Sequence, residues 1–486
     1  MSNQLNKLSL GGAMNSRRET MQNTCYAIMA NEETPHWFEQ TVLYHIYPLG
    51  MLGCELRNDG GETRHRLVAL EDLVGHLKEL GVNAVYFGPL FESTTHGYDT
   101  KDYFHIDRRL GDDDDFRHLV EVYHEAGIRI VVDAVFNHVG REFWGFCEAI
   151  EYRDMARTRH WFKGLRFDGR CRDGMSYSTW EGHEELVKLD LMNVEVRQHL
   201  LDAVSWWIQE FGIDGLRLDA ADCLEPDFVR ALRNHVRAIR PDFLLEGEVI
   251  HGDYRVWANE SMMDGTTNYE VYKGLWSSHN DGNFHEIAYS LNRQFGPQGI
   301  YRDLKMYNFV DNHDVDRIAS KLKSPLSLYS LYAMLFLMPG TPSIYYGSEW
   351  GISGKKGRGY EADYPIRPYI GVQDLTNGHV DCTLEAAPLE NAIARLASFR
   401  KSHSSLCRGD YRQIEVSSQT IVFERSDGLE TLICVVSDMP ITAPITIRVP
   451  DGSYEDILNG GEPMTAVNGR LTLDAWPHWA RVLRQK

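Results

Sequence analysis

The feature that most constrains the fold is the alternation of short apolar stretches with longer amphipathic ones along residues 42–401. The stretch IRIVVDAVF, at 128–136, is nearly all apolar, which is typical of a strand whose sheet is covered on both faces. The stretch ALEDLVGHLKELG, at 69–81, has apolar residues at helical spacing and ends on a glycine. The same reasoning predicts eight strands, at 42–47, 83–88, 128–136, 214–219, 243–248, 262–268, 305–311 and 342–347.

The pattern predicts helices between these strands, at 69–81, 112–127, near 194–211, at 226–239, at 326–338 and near 387–401. Eight strands that alternate with helices favour an α/β fold with a parallel sheet. Eight such units close most naturally as a (β/α)8 TIM barrel. A doubly wound open sheet is the competing interpretation, but no glycine-rich phosphate loop follows an early strand.

Two regions depart from this alternation. No barrel strand is predicted between 139 and 193, and such a long insert is usually functional, since typical βα loops have about 2–6 residues. We expect a small inserted domain after strand 3 that overhangs the barrel mouth. Its aromatic residues, Trp144, Trp161, Phe162, Tyr177 and Trp180, would offer apolar faces to a ligand. From about 403 onward, alternating strands without helices predict a C-terminal antiparallel β domain.

The predicted domain organisation therefore has four parts. They are an N-terminal extension at 1–36, a catalytic barrel at 37–402, the inserted domain at 139–193, and the C-terminal β domain at 403–486.

The composition argues against several kinds of partner. The formal net charge is −20, so a polyanion such as nucleic acid would be repelled on average. No apolar run approaches a membrane span, and the N-terminus lacks the apolar core of a signal peptide. The eight cysteines are scattered without a C-x-x-C pair, which suits reduced thiols better than disulfides or a zinc site. We therefore expect a soluble cytoplasmic protein that binds neither nucleic acid nor membranes.

Polar side chains gather where four predicted strands end. Strand 3 ends in DAVFNH (133–138), strand 4 in GLRLD (215–219), strand 5 in EGE (246–248), and strand 7 in FVDNHD (309–314). The carboxyl ends of barrel strands converge on one rim, where barrel enzymes place their chemistry. The sequence therefore predicts a shared active site at this mouth. Three further acids lie deeper in the barrel, and we expect structural roles for them: Asp133, Glu246 and Asp311.

These groups suit the cleavage of a glycosidic bond, which needs one ionised and one protonated carboxyl group. Asp219 lies two residues past Arg217, so the two side chains share a strand face, and the cation would keep Asp219 ionised. Glu248 has no basic neighbour in sequence, and a dry position would raise its pKa as an acid catalyst requires. His138 and His313 lie on distant strands and lack metal-ligand spacing, so no metal is predicted from them.

Four short motifs in order resemble those of the α-amylase superfamily, glycoside hydrolase family thirteen. They are DAVFNH (133–138), GLRLDAADC (215–223), EGEVIH (246–251) and FVDNHD (309–314). The stretches HGYDTKDYFHIDRRLG (96–111) and PGTPSIYYGSEWG (339–351) are similar as well, and the resemblance covers about residues 37–485. Within the superfamily, the motifs look closest to the intracellular cyclomaltodextrinase, neopullulanase and maltogenic amylase group. That group carries an N-terminal β domain, which we expect this chain to lack.

The resemblance implies three catalytic residues: Asp219 as nucleophile, Glu248 as general acid and base, and Asp314 as the acid that stabilises the transition state. It also implies substrate contacts. Arg217 would position the nucleophile, His138 and His313 would bind sugar hydroxyls, and Tyr98 would stack on the sugar. Asp99 and Arg317 match an Asp and an Arg that pair at the pocket floor in some members of the family.

No cofactor is required by this resemblance. Calcium remains an option, because Asn137 aligns with a calcium ligand of many secreted amylases.

The implied activity is that of a retaining α-glycoside hydrolase. It would cleave α-1,4 and, as a further option, α-1,6 glucosidic bonds in maltooligosaccharides or cyclodextrins through a covalent glycosyl-enzyme intermediate. Two alternatives stay open: a transglycosylase that uses a sugar acceptor, and an inactive family member that serves in binding or assembly. A paired Asp99 and Arg317 would close the non-reducing side and favour short substrates over long-chain starch. Chain-length preference, linkage and oligomeric state are left open.

Overall fold

The computed structural model describes residues 35–169, 173–359, 361–373 and 386–486. Residues 1–34, which make up most of the predicted N-terminal extension, lie outside the described residues. Through the barrel, the strands in chain order are β1 (Leu43–Ile46), β2 (Ala84–Phe87), β3 (Arg129–Ala134), β4 (His138–Gly140), β5 (Thr179–Trp180), β6 (His183–Lys188), β7 (Gly215–Leu218), β8 (Leu244–Gly247), β9 (Gly265–Thr267), β10 (Lys305–Asn308) and β11 (Thr341–Tyr345).

The α-helices of the described chain are α1 (Pro48–Met51), α2 (Val74–Leu80), α3 (Asp113–Glu125), α4 (Trp144–Tyr152), α5 (Val194–Phe211), α6 (Pro226–Ile239), α7 (Tyr269–Asp281), α8 (Phe284–Phe295), α9 (Ile318–Lys321), α10 (Ser327–Leu337), α11 (Ala386–Lys401) and α12 (Ser404–Arg408). A 3-10 helix at Leu67–Leu73 leads directly into α2, so the helix predicted at 69–81 is tightly wound over its first half.

Eight parallel strands close into a barrel in the order β1-β11-β10-β9-β8-β7-β3-β2. The predicted (β/α)8 fold is thereby confirmed. The strand predicted at 305–311 is shorter than expected, because it ends at Asn308. Its neighbour β9 ends at Thr267, opposite Tyr307, so Phe309 and Val310 lie buried beyond the ladder on that side.

Side-chain alternation separates the interior of the barrel from its helix-covered outside. The interior floor is apolar and includes Leu43, Ala84, Val131 and Leu244. The 3-10 helix His36–Gln40 adds Trp37 and Phe38 to this same cluster. The outward residues of the same strands belong to the main core that packs against the helices. Above the floor the inward residues become polar, and they lead up to the mouth.

The insert after β3 contains a three-stranded antiparallel sheet in the order β4-β6-β5, together with helix α4. Two of its predicted ligand-facing aromatics, Trp161 and Phe162, are instead buried in the main core. Trp180 on β5 does approach the mouth, with its ring centroid 5.7 Å from that of His138. The sequence predicted the insert but not its helix or its sheet.

The C-terminal region is antiparallel, as predicted. Its strands are β12 (Asp410–Val416), β13 (Thr420–Ser426), β14 (Thr431–Ser437), β15 (Ala443–Arg448), β16 (Gly452–Asp456), β17 (Met464–Ala466), β18 (Arg470–Ala475) and β19 (Trp479–Gln485). Six of them form one sheet in the order β12-β13-β14-β19-β16-β17, and β15 pairs with β18.

This domain holds both ends of barrel helix α10. At the first turn, Ser327 and Ser330 donate to the carboxylate of Asp438, at 3.0 and 2.7 Å. At the last turn, Arg425 Nη1 donates to the Leu337 carbonyl at 2.8 Å. An anion at the N-terminus and a cation at the C-terminus both suit the helix dipole.

Two further observations concern the described chain as a whole. Across the described residues, no helix combines the length and the apolar character needed to cross a membrane. The described cysteines are free thiols: Cys54, Cys147, Cys223, Cys407 and Cys434.

Candidate active site

Arg217 is the centre of the polar mouth. It lies on β7 in register with Asp133 on β3, so the two side chains point to the same side of the sheet. Its Nη1 is 2.8 Å from Asp133 Oδ1 and 3.0 Å from Asp219 Oδ1. Its Nη2 is 2.8 Å from Glu248 Oε1. One buried guanidinium therefore connects three carboxyl groups from three adjacent strands.

Backbone hydrogen bonds fix the two predicted catalytic carboxyls just past the strand ends. Asp219 N donates to Ala134 O at 3.1 Å, and Glu248 N donates to Leu218 O at 2.9 Å. Ala220, between them, has φ +43° and ψ +48°, a left-handed conformation that a non-glycine residue rarely adopts. This turn directs Ala220 N to Glu248 Oε2 at 3.1 Å. The strained residue thus holds the second carboxyl beside the first.

Glu248 has a further hydrogen-bond donor that the sequence analysis did not predict. Tyr269 OH donates to Glu248 Oε1 at 3.1 Å, and Asn312 Nδ2 donates to Tyr269 OH at 3.3 Å. Tyr269 is the first residue of α7, directly after β9. The signal that could have indicated it is the position itself, since it follows a barrel strand as the other site residues do.

Burial and shared charge set the protonation of this group. Burial raises the pKa of Asp219 well above its ordinary value, and Arg217 acts in the opposite direction. Burial also raises the pKa of Glu248, again opposed by Arg217. From the sequence we expected Arg217 to serve Asp219 alone, whereas the structure shows that both acids share it. Two such acids around one cation favour a state with one proton between them, which suits an acid and nucleophile pair.

Asp314 is held in the ionised state by two neighbours, His313 and Arg367. A third of its side chain (34%) is exposed, at the mouth. Desolvation there would raise the pKa of Asp314, but His313 and then Arg367 outweigh it, so the pKa lies below its ordinary range. His313 Nε2 lies 2.9 Å from Oδ2, and Arg367 Nη2 lies 3.1 Å from Oδ1. This carboxylate is therefore ready to accept hydrogen bonds from sugar hydroxyls.

His313 lies between two tyrosine rings. Tyr47 and Tyr98 are nearly parallel to its imidazole, with ring centroids 5.8 and 5.6 Å away. Tyr98 OH also donates to Asp133 Oδ2 at 2.9 Å and contacts His313 Nε2. Tyr98 therefore lines the base of the mouth. Asp133, predicted to be structural, anchors both this hydroxyl and Arg217.

His138 is the first residue of β4. Burial lowers its pKa to about 3, so the imidazole is neutral at physiological pH. Asn137 Nδ2 lies 3.1 Å from Nδ1, and Nε2 is buried without a partner among the described residues. A free ring nitrogen here suits a sugar hydroxyl. Calcium takes oxygen ligands, so Asn137 would bind it through the amide oxygen, while its amide nitrogen contacts His138.

Asp99 and Arg317 do not meet, contrary to the predicted pairing. Asp99 accepts from Thr95 N at 3.0 Å and from Thr95 Oγ1 at 2.6 Å. Arg317 is fully buried, and its guanidinium donates to the carbonyls of Ile366 and Tyr346, at 3.1 and 2.5 Å. Each therefore braces its own loop in the described structure, and neither provides the expected wall.

Arg367 is a cation of the mouth that the sequence did not predict. Its Nη2 lies 3.1 Å from both Asp314 Oδ1 and Asp363 Oδ2, and its Nε donates to the His313 carbonyl at 2.9 Å. Its guanidinium also lies 4.5 Å from the centroid of the Tyr47 ring. No motif indicated Arg367, because it lies in irregular chain after the last barrel strand.

The chain is similar in sequence and in structure to known enzymes. Residues 67–383 match the α-amylase catalytic domain. The chain is 30% identical over 433 residues to a cyclomaltodextrinase of a Bacillus species, covering 84% of this chain and 74% of that protein. It is 30% identical over 478 residues to neopullulanase 2 of Thermoactinomyces vulgaris, covering 93% and 78%.

A solved structure of similar overall fold is the cyclic α-maltosyl-(1→6)-maltose hydrolase of Arthrobacter globiformis, in complex with cyclic α-maltosyl-(1→6)-maltose. Its TM-score is 0.76 at 27% identity, covering 93% of this chain and 99% of that one. The matched domain exceeds half of the chain, and the Bacillus relative spans more than two thirds of it. The chain therefore belongs to the α-amylase family and is a glycoside hydrolase that acts on α-glucans.

Proposed function

We propose that this enzyme is a retaining hydrolase of short α-glucans, namely maltooligosaccharides and cyclodextrins. The observation that carries the proposal is the sharing of Arg217 by Asp219 and Glu248, with Nη1 3.0 Å from one and Nη2 2.8 Å from the other. Two carboxyl groups on one guanidinium are close neighbours, and retention requires closely spaced carboxyl groups.

The reaction follows from the surroundings of each group. Glu248, whose pKa burial raises, protonates the glycosidic oxygen, while Asp219 attacks the anomeric carbon and forms the glycosyl-enzyme. Ala220 N and Tyr269 OH hold Glu248 in place through both steps. Glu248 then takes a proton from water as the water oxygen attacks the anomeric carbon. The bond to Asp219 breaks, and the sugar leaves with retained configuration.

Asp314, His313 and His138 would bind the ring in the cleavage position. Asp314 is an ionised acceptor, and charge-assisted hydrogen bonds to hydroxyls can strengthen as the oxocarbenium-like transition state forms. His138 offers its neutral Nε2 on the opposite side. The ring would lie over Tyr98, which forms the base of the mouth.

The region beyond Arg367 supports a preference for short substrates. A cavity of about 400 Å³ lies there, bordered by Tyr47, Leu49, Leu56, Tyr364 and Tyr369, with Arg367 on its inner side. Because Tyr47 follows β1, across the barrel from β8 and Glu248, we place this cavity on the donor side of the bond. Aromatic faces with a few polar groups suit one or two sugar rings. The names of the relatives, cyclomaltodextrinase and neopullulanase, support the same substrate class.

The cytoplasmic location predicted from the sequence belongs to this proposal, and the free thiols of the described cysteines suit a reducing compartment.

The test is a kinetic series from maltose to maltoheptaose, with β-cyclodextrin, pullulan and soluble starch. We expect kcat/KM to reach a plateau by about three or four glucose units, as the size of the cavity implies. Proton NMR of the first turnovers should show the α-anomer. A first-formed β-anomer would contradict retention, and a steady rise with chain length that ends with starch as the best substrate would contradict the preference for short chains. Products longer than the substrate would favour transglycosylation.

A further inference from the structure

Glu246 is a buried acid that the reaction described above does not use. It is 3% exposed, and neither of its carboxyl oxygens has a hydrogen-bond partner among the described residues. It is in register with Arg217 on β7 and with Gly265 on β9, so these three residues form one layer below the catalytic carboxyls. An unpaired ionised carboxylate would be very costly in such a site, so Glu246 must be protonated.

Gly265 provides the space that this carboxyl occupies. A Cβ at Gly265 would lie 2.5 Å from Glu246 Oε2 and 1.9 Å from the Lys305 carbonyl oxygen. Both distances are too short for any side chain, so only glycine fits. The carboxyl of Glu246 therefore lies over a backbone that offers it no side-chain partner, one strand away from Arg217.

The groups around Glu246 come from β7, from β10 and from Asp264, the residue before β9. Burial raises the pKa of Glu246 well above its ordinary value and Asp264 raises it further, while Lys305 and Arg217 act in the opposite direction. Tyr307 on β10 also faces this acid, and its hydroxyl donates to Ser343 Oγ at 3.0 Å. The surroundings thus favour the neutral acid.

We propose that Glu246 is a positioning residue that acts through Arg217. As a neutral acid, Glu246 leaves the guanidinium to Asp133, Asp219 and Glu248. When ionised, Glu246 competes with these three carboxyl groups for the guanidinium. Arg217 already serves three carboxyls with two terminal nitrogens. A further negative charge one strand away would draw the guanidinium toward Glu246 and weaken its 2.8 Å contact with Glu248. Ionisation of Glu246 would then limit activity at high pH. This inference rests on the proposed roles of Asp219 and Glu248.

The first experiment is the pH profile of kcat/KM for maltotriose, with each profile scaled to its own maximum. Glu246→Gln keeps the shape of the side chain but cannot ionise. We expect its alkaline limb to move upward by about one pH unit relative to the wild type. Glu246→Met, neutral and of similar length, should move the limb in the same direction if the glutamine variant folds poorly. A purely structural role would lower the thermal midpoint and leave both limbs in place, which would overturn the proposal.

Two controls sharpen the result. Glu349→Gln neutralises another fully buried acid, one that is bound to Tyr44 and His76 outside the mouth, and it should leave the alkaline limb where it is. Lys305→Met removes a cation that opposes protonation of Glu246. This substitution should move the alkaline limb to higher pH when Glu246 is present and should have no effect in the Glu246→Gln background. A shift in that background would overturn the assignment to Glu246.

An infrared difference spectrum separates this inference from the proposed function, because it does not depend on which glucan is cleaved. At pH 8, wild type minus Glu246→Gln should show the carbonyl band of a protonated carboxylic acid. If that band is missing, Glu246 is ionised and the inference fails, even if maltotriose is hydrolysed as proposed. If the band is present and maltotriose is not a substrate, the proposed substrate class fails while the neutral state of Glu246 stands.

Discussion

Arg217 in the barrel mouth and Arg425 at the junction with the C-terminal domain are both buried cations, but their partners are of opposite kinds. Arg217 meets three carboxyl groups within 3.0 Å. Arg425 meets the backbone carbonyls of Leu337 and Gly409, at 2.8 and 3.0 Å. Each arrangement gives acceptors to the terminal nitrogens of a guanidinium that is removed from water, and only the first surrounds it with carboxyl groups, which can exchange a proton.

The difference appears in the electrostatics. Burial by itself lowers the pKa of Arg217, but Asp133 and Glu248 outweigh it and raise that pKa well above its ordinary value. At the junction, burial lowers the pKa of Arg425, and the nearby Arg400 lowers it further. An excess of acids around a cation leaves labile protons and can support catalysis. Carbonyls around a cation fix the chain, and here they fix the end of α10.

The largest effect on activity should come from the carboxyl groups around Arg217. Asp219→Asn removes the nucleophile, and the amide retains much of the shape beside Arg217. We expect kcat/KM to fall by about 10⁴-fold on all substrates, while the thermal midpoint changes little. Steady-state kinetics on maltotriose and on an aryl maltoside, with a thermal melt of each protein, check this.

Glu248→Gln is the matched variant for that test. It should be severely impaired on maltotriose but should form the glycosyl-enzyme rapidly from an aryl maltoside with a good leaving group, since little protonation is needed. Equal losses on good and poor leaving groups would contradict the division of roles between Asp219 and Glu248.

The junction should show the opposite behaviour. Arg425→Met leaves the carbonyls of Leu337 and Gly409 without their charged donor, and we expect a loss of about 3 kcal/mol in stability with kcat/KM unchanged. Arg425→Lys keeps the charge but reaches fewer acceptors, so its loss should be smaller. Thermal melts and maltotriose kinetics decide it. A drop in kcat/KM without a drop in the melting midpoint would contradict a purely structural role.

The same contrast explains what the sequence could predict. The barrel, its C-terminal β domain and the polar strand ends followed from periodicity, because strand phase decides which residues reach the mouth. Asp219, Glu248 and Asp314 lie at such strand ends. Arg367 and the Arg425 contacts depend on irregular chain and on the packing of distant segments, which no local pattern encodes. The partners of Arg317 depend on distant chain in the same way, since its guanidinium donates to the carbonyls of Ile366 and Tyr346.

His76 is a further buried cation with carboxyl partners, and it shows whether such partners alone are enough to give a catalytic site. Its Nε2 lies 3.0 Å from Glu349 and its Nδ1 lies 3.1 Å from Glu390. Burial by itself lowers the pKa of His76, but these two hydrogen bonds outweigh it and raise the pKa to about 9. Far from any cavity that we assign to substrate, this charge should affect stability alone.

The direction in which stability changes with pH follows from the raised pKa of His76. The stabilisation is fully present below the unfolded value of about 6.5 and is lost as the pH rises through about 9. We expect about 2 kcal/mol to be lost over this range, measured as the fall in melting midpoint from pH 6 to pH 9.5. His76→Gln should flatten this dependence. His118→Gln, a substitution at an exposed histidine, should reproduce the wild-type slope. An unchanged slope in His76→Gln would refute the assignment.

Arg367 has both kinds of partner, carboxyl groups as at Arg217 and a backbone carbonyl as at Arg425. It contacts the carboxylates of Asp314 and Asp363 and also the His313 carbonyl. Arg367→Met should lower kcat/KM for maltotriose by about tenfold, since Asp314 loses a partner that orients it. Because Arg367 helps to hold the pKa of Asp314 below its ordinary range, its loss raises that pKa, and activity on the acid side should disappear at a higher pH than in the wild type. Arg367→Lys keeps a charge without the planar fork and should fall between the two. The measurement is the acid limb of kcat/KM, together with the chain-length series. If Arg367 only braced its loop, the melting midpoint would fall while the acid limb and the preference for short chains stayed as in the wild type.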